Sequence, residues 1–114
     1  MTEERKTVLK RIVWKEYDRY CMYLTREDLL RIGGWLGVQI PDGLSRETIF
    51  DRLYESVGCD RFVAALNHEA EERILEREKI LAELGGSGEA FKHDIAKLRA
   101  FVLTIRGCVN QQGL

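Results

Sequence analysis

The sequence has very little proline and no long apolar segment. Pro41 is the single proline among 114 residues, and no apolar run approaches the roughly 18 residues that span a bilayer. The N-terminal segment 1–6 also lacks the apolar stretch of a secretory signal. These absences argue against a membrane protein and favour a cytoplasmic one. The composition, 45% hydrophobic and 32% charged, predicts a single globular domain over residues 1–114.

Cysteine is sparse, and neither sign of charge is in excess. Cys21, Cys59 and Cys108 are widely spaced and form no C-x-x-C pair, which argues against a disulfide framework and a thiolate zinc site. The 18 basic and 19 acidic residues leave a net charge of −1. This balance argues against a protein that packages nucleic acid, because such proteins have a basic excess.

Motifs of catalysis, phosphate binding and metal binding are missing. The sequence has no G-x-x-x-x-G-K, no G-x-G-x-x-G and no H-E-x-x-H. His68 and His93 fall on the polar faces of their expected helices, and neither follows a glutamate by three residues, as a di-iron helix motif requires. No serine or cysteine can be matched to a base by spacing. We therefore expect no metal, no cofactor and no enzymatic activity.

What the sequence does have is a series of helix-forming segments separated by glycines. Apolar residues recur at three- and four-residue steps, which is typical of amphipathic helices. We expect an all-α bundle of about five helices, with a core at about 3–66, a long antiparallel helical hairpin at about 60–106 and a loose tail at 107–114. The expected helices cover about 3–23, 26–36, 46–57, 61–84 and 88–106.

Residues suited to capping precede each expected helix. Thr25 and Asp28 have the spacing of a capping box, and Leu24 can staple against Leu29 across that helix start. Gly33 and Gly34 lie inside the same helix, where we expect either close packing at small residues or a weak break. The expected N-caps are Thr2, Thr25, Ser45, Asp60 and Ser87.

The last two expected helices have apolar residues outside their main stripes. The short connector 85–88 makes these helices antiparallel neighbours. Leu75 on the first of them and Leu103 on the second lie off the stripes, as do Ala64 and Ala82. Because two helices packed alone leave apolar edges, we expect the hairpin to bind a protein partner or a second copy, with a homodimer favoured.

A row of basic residues marks one side of the first expected helix. Arg11, Lys15 and Arg19 are spaced by four, and Trp14 lies at the border of the row. The row is either a solvated face or a second protein-binding surface that meets acidic groups or a phosphate backbone.

Glu16 lies near the centre of the apolar face of the same helix. A buried carboxylate needs a partner or must shift its pKa, so we expect an ion pair or a hydrogen bond there, for example with a tyrosine, or a position closer to water than the helical pattern indicates. A titratable site is the alternative.

The N-terminal half has a recognisable order of features. Leu29-Leu30 precedes Leu36-Gly37-Val38, the linker Pro41-Asp42-Gly43 follows, and apolar helices occupy 49–53 and 58–66. In this order the segment Glu4–Leu66 resembles the death-domain-like effector-associated modules of bacterial signalling proteins. The resemblance implies association with like or partner helical bundles and no chemistry of its own. The function that we expect is therefore a non-enzymatic protein–protein interaction module.

A shorter pattern implies an alternative function. Leu24-Thr25, Leu36-Gly37-Val38, Leu44-Ser45 and Leu53 look like the helix-extended-helix of SAP and Rho N-terminal modules. That resemblance implies a nucleic-acid-binding accessory protein that uses residues 24–57. The alternative is not favoured, because Asp42, Glu47, Asp51 and Glu55 accompany Arg46 and Arg52 in this segment.

Overall fold

The protein folds as an all-α bundle, as the sequence predicts. A computed structural model describes residues 3–85 and 88–113, and the side chains of 4–85 and 88–107. The helices in these ranges are α1 (Glu3–Arg19), α2 (Arg26–Leu36), α3 (Arg46–Val57), α4 (Cys59–Glu83) and α5 (Glu89–Gly113).

The five helices pack in two connected parts. α4 and α5 form the predicted long hairpin and lie side by side. α2 and α3 pack on each other and on α4, whereas α1 packs chiefly on α5. The molecule is elongated, at 51 × 34 × 19 Å, because the two 25-residue helices of the hairpin set its long dimension.

One continuous core joins all five helices, and aromatic rings form its centre. Phe50 of α3 packs edge-on against Phe62 of α4, with ring centroids 4.9 Å apart, and stacks on Tyr17 of α1 at 5.7 Å. Tyr20 meets Phe101 of α5 at 5.6 Å. The largest fully buried side chains are Tyr17, Phe50, Phe62, Phe101, Leu24, Leu29, Ile32, Ile49, Leu53, Leu66, Leu98 and Ile105.

Two of the predicted N-caps are confirmed by their hydrogen bonds. The Asp28 carboxylate accepts a hydrogen bond from the Thr25 backbone N–H at 2.8 Å, and the Ser45 hydroxyl accepts one from the Thr48 N–H at 3.2 Å. At the other end of α2, Gly37 adopts a left-handed conformation with φ of 71°, which favours glycine. Thr2 and Ser87, the caps predicted for α1 and α5, lie outside the described residues.

Gly33 confirms the close packing expected inside α2. A Cβ at this position would lie 3.3 Å from both Ile40 Cγ1 and the Val38 carbonyl oxygen. Gly34 differs, since a Cβ there would meet no atom within 4 Å. The helix passes through both glycines without a break.

Helix ends differ from the sequence prediction at α1 and α4. α1 ends at Arg19 rather than at residue 23, because the chain turns back and the Tyr17 hydroxyl donates a hydrogen bond to the Leu24 carbonyl at 2.9 Å. α4 begins at Cys59, so Asp60 lies in its first turn and is not its N-cap. Gly58, with φ of 86°, lies between the two helices and is both the C-cap of α3 and the N-cap of α4.

The prediction that the last helix ends at Gly107 is also wrong, since α5 continues to Gly113. Gly107 is not among the glycines with positive φ, and a glycine ends a helix chiefly when it adopts that left-handed conformation. The segment expected to be a loose tail from 107 is therefore helical as far as Gly113.

Candidate protein-interaction surface

One side of the α4–α5 hairpin presents apolar and charged residues in a regular pattern. We call it the outer face, because on α5 it lies opposite the side where Phe101 meets α1. On each helix its residues are spaced alternately by four and three positions, so they fall within an arc of about 80°. The outer face comprises Glu71, Leu75, Glu78 and Ala82 of α4 and Lys92, Ala96, Arg99, Leu103 and Arg106 of α5.

The two leucines singled out from the sequence meet on this face. Leu75 is 61% exposed and Leu103 is 72% exposed. They line one groove of about 480 Å³, together with Glu71, Ile74, Arg99 and Val102. A second groove of about 420 Å³ shares Arg99 and continues the surface past Ala82 and Ala96. Large apolar side chains exposed next to each other in a groove are typical of protein-binding sites.

Ion pairs between the helices flank the leucines on both sides. Arg106 donates a hydrogen bond to Glu71 at 3.2 Å, and Arg99 donates one to Glu78 at 2.8 Å. Within these pairs α4 supplies only carboxylates and α5 supplies only guanidinium groups. The outer face therefore has an acidic stripe along α4 and a basic stripe along α5, with the leucines between the two pairs.

The basic row of α1 is exposed, but it forms a separate surface. Arg11, Lys15 and Arg19 all lie at the surface. Arg19 lies 3.5 Å from Glu16 and forms an ion pair with it, whereas the Glu16 Oε2 atom is buried without a hydrogen bond. Since α1 packs on the side of α5 opposite Leu103, the structure does not bring the row and the outer face together.

Trp14 is not available as an exposed anchor for that row. Its ring is half-buried and packs edge-on against Phe50, with centroids 5.0 Å apart. The Arg46 guanidinium covers the ring at 5.3 Å and donates a hydrogen bond to Asp18 at 2.7 Å. Trp14 therefore helps to join α1 to α3.

A cluster of charges between α2 and α4, centred on two buried carboxylates, has no counterpart in the sequence prediction. Glu69 is fully buried and Asp28 is 6% exposed. Arg31 donates hydrogen bonds to both carboxylates, and Arg73 lies 3.7 Å from Asp28 and 3.8 Å from Glu69. We call these four residues the buried cluster. In the sequence, the cluster is visible only as two local pairs, Asp28 with Arg31 at i,i+3 and Glu69 with Arg73 at i,i+4. Such pairs also occur on solvated helices.

The two buried carboxylates differ in proton affinity. Burial raises the pKa of Glu69 to about 7, and the neighbouring Asp28 carboxylate adds to this effect against the opposing charges of Arg31 and Arg73. Burial also acts to raise the pKa of Asp28. Hydrogen bonds from Glu69 and from Thr25, with the Arg73 charge, outweigh burial and hold that pKa below its ordinary value.

The histidine and cysteine side chains, which could in principle take part in catalysis or metal binding, contact neighbouring residues. His68 lies against the exposed ring of Trp35, with centroids 4.5 Å apart, and His93 shares a 3.2 Å hydrogen bond with Tyr23. Burial raises the pKa of the Cys59 thiol, which disfavours the reactive thiolate. Within the described residues no group of three or more His, Cys, Asp or Glu could hold a metal ion. No helix in this part of the chain is long and apolar enough to cross a membrane.

Trp35 is one of the exposed apolar residues that sequence reasoning missed, together with Val8, Met22 and Leu84. It is 44% exposed and lines a shallow groove with Leu36, Arg61, Ala64 and His68. Its place after two glycines within α2 gave no indication of exposure.

Comparison of the chain with protein-family models, curated proteins and solved structures found no match.

Proposed function

We propose that this protein is a non-enzymatic, cytoplasmic protein–protein interaction module that binds through the outer face of its α4–α5 hairpin. The observation that supports this function is the exposure of Leu75 and Leu103 side by side in one groove. Burying two such side chains against a partner stabilises a complex by about 2 kcal/mol each. The flanking ion pairs leave charged groups at the rim, as is usual for protein interfaces.

The chemistry of the described side chains supports an interaction role over a catalytic one. Glu69 is the carboxylate whose pKa, at about 7, would suit a general acid or base. Its side chain is fully buried, however, and therefore cannot reach a substrate. The raised pKa of the Cys59 thiol disfavours the reactive thiolate, and the His93 ring shares a hydrogen bond with the Tyr23 hydroxyl.

Nucleic-acid binding through residues 24–57 is the alternative function. Three arginines of this segment are engaged within the molecule: Arg26 donates to the Leu44 carbonyl, Arg31 to Asp28 and Arg46 to Asp18. A phosphate backbone would have to compete with these contacts. A salt titration tests the alternative, because phosphate contacts make affinity fall steeply with salt. Absence of binding to DNA and RNA at low salt would remove it.

The proposed function is tested with the full chain as bait in an extract of its native cells. We expect the wild-type chain to retain specific proteins and the double variant Leu75→Asp, Leu103→Asp to lose them. Met22→Asp is the matched control, because Met22 is also a large exposed apolar residue, at 80%, and lies outside the outer face. Circular dichroism checks that each variant keeps its helices.

A second variant separates the outer face from the basic row. Replacing Arg11, Lys15 and Arg19 together with Glu should leave capture unchanged if the row is only solvated. Undiminished capture by the leucine double variant, with loss of capture by the triple variant, would contradict the proposal and assign binding to α1.

A further inference from the structure

The arrangement of charge on the outer face makes this face complementary to itself. Glu71 and Glu78 form the acidic stripe of α4, and Arg99 and Arg106 form the basic stripe of α5. Each glutamate lies level with an arginine across the hairpin. A partner that matches this face must present acidic and basic stripes side by side at the same spacing, with apolar residues between them. A second copy of the chain presents such a surface.

Two-fold symmetry allows two ways to stack the outer faces of two copies. When the axis runs across the helices, α4 lies over α4 and α5 lies over α5. Glutamates then oppose glutamates and arginines oppose arginines, which is repulsive. When the axis runs along the helices, α4 lies over α5 of the partner subunit. Each residue then keeps its position along the helix direction. Glu71 then opposes Arg106 of the partner subunit, and Glu78 opposes Arg99 of the partner subunit.

We propose that the partner bound by the outer face is a second copy of this chain, stacked so that α4 of each copy lies over α5 of the other in a four-helix arrangement. This inference rests on the proposed function of the same face. The geometry places Leu75 against Leu103 of the partner subunit, so each exposed leucine of one copy is covered by its counterpart. The ion pairs at both ends fix the direction and register of the stack.

The size of the face predicts a weak, concentration-dependent dimer. From Glu71 to Ala82, α4 rises about 17 Å, and two adjacent helices are about 20 Å wide. A contact of this size is less than half of the roughly 800 Å² that each partner buries at a standard interface, and contacts this small belong to weak, transient associations. We therefore expect a dissociation constant in the micromolar range, so the dimer should predominate at about 100 μM and dissociate on dilution.

Sedimentation equilibrium of the full chain between about 1 and 100 μM tests the dimer. The wild-type chain and the control Met22→Asp should approach the mass of two chains at the highest concentration. The double variant Leu75→Asp, Leu103→Asp should remain at the mass of one chain, with at least a 100-fold weaker association. Wild-type protein with the mass of one chain at 100 μM would overturn the inference.

A charge exchange tests the direction of stacking. In the variant Glu71→Arg, Glu78→Arg, Arg99→Glu, Arg106→Glu, each ion pair within the hairpin is retained with its members exchanged. If α4 lies over α5, the exchanged chain dimerises with itself but not with the wild-type chain. If α4 lies over α4, it prefers the wild-type chain. Native mass spectrometry of a mixture, with one chain carrying a mass tag, distinguishes the two outcomes, and mixed dimers in excess would overturn the proposed direction.

The failure of this inference can be told apart from the failure of the proposed function. A monomeric wild-type chain whose leucine-dependent capture of other proteins persists contradicts the dimer and retains the interaction module. A monomeric chain that also captures nothing through the outer face contradicts both.

Discussion

The two sides of α4 place the same kinds of charged residue in opposite environments. On the side facing α2, Glu69 and Arg73 join Asp28 and Arg31 in the buried cluster. On the outer face, Glu71 and Glu78 pair with arginines of α5 at the surface. Buried charges are costly to leave unpaired, whereas exposed pairs contribute little to stability. We infer that the buried cluster fixes how α2 sits on α4, and that the outer pairs contribute little to the stability of the fold.

Removal of one buried charge should have the largest effect on folding. Asp28→Ala deletes the acceptor of the Thr25 N–H and leaves Arg31 and Arg73 with one carboxylate fewer. We expect a loss of about 3 kcal/mol in the free energy of unfolding, measured by urea denaturation, because a helix cap and a charge-assisted hydrogen bond are lost together. Glu27→Ala is the adjacent control, since Glu27 is 72% exposed and its loss should cost less than about 0.5 kcal/mol. A loss below about 1 kcal/mol for Asp28→Ala would show that the cluster does not hold α2.

The proton affinity of Glu69 predicts a dependence of stability on pH. The pKa of Glu69 is about 7 in the folded state, against an ordinary value of 4.5. Between these values the unfolded chain loses this proton first, so stability falls as pH rises from about 4.5 to 7. The fall should amount to at most about 3 kcal/mol, since one pKa unit corresponds to about 1.4 kcal/mol.

The variant Glu69→Gln should lack this fall, because its amide does not ionise. The measurement is the difference between the wild-type and variant free energies of unfolding across pH 4.5–8. The lowered pKa of Asp28 affects stability in the opposite direction and at lower pH, near its ordinary value of 3.8. Glu71→Gln, on the outer face of the same helix, is the matched control. Parallel wild-type and Glu69→Gln curves would rule out this assignment.

Two adjacent glycines of α2 allow the same comparison between a packed and an open position, with no charged residue involved. Alanine in place of glycine inside a helix stabilises it by about 1 kcal/mol where there is room. Gly34→Ala should show this gain, because its Cβ would meet no atom within 4 Å. Gly33→Ala should be at least about 1 kcal/mol less stable than Gly34→Ala, since its Cβ would press on Ile40 and the Val38 carbonyl. Equal thermal midpoints for the two variants would contradict the close packing of Gly33.

The smallest effect is expected from the outer ion pairs. A double-mutant cycle with Glu78→Ala and Arg99→Ala should give a coupling of about 0.3 kcal/mol in the unfolding free energy. The cycle is measured at about 0.1 μM, below the dissociation constant that we expect for the proposed dimer. A coupling above about 1.5 kcal/mol would mean that this pair stabilises the hairpin itself, and the contrast between the two sides of α4 would disappear.

Local patterns in the sequence predicted much of this structure. The five helices follow from apolar spacing and glycine breaks, and Thr25 and Ser45 cap their helices through contacts three residues away. The exposure of Leu75 and Leu103 follows from their positions off the apolar stripes. Each of these inferences needs only the immediate neighbourhood of the residue, where helix geometry is fixed.

Contacts between distant residues account for what the sequence did not predict. Arg31 and Glu69 are 38 positions apart, so the burial of the Glu69 carboxylate and its contact with Arg31 depend on how α2 docks on α4. The end of α1 depends on the hydrogen bond from Tyr17 to Leu24, although the apolar spacing continues past Arg19. Tertiary contacts overrode the local preference in both regions.

The packing of the first helix on the last has a consequence for how the chain is synthesised. Tyr23, which follows α1, contacts His93 of α5 across 70 positions, and Tyr20 meets Phe101 of the same helix. On the ribosome, α1 therefore emerges long before the helix that covers it, at a rate of about 5–20 residues per second. The part of its apolar side that contacts α5 stays open until α5 arrives, and a nascent chain stopped before α5 exposes this part to chaperones.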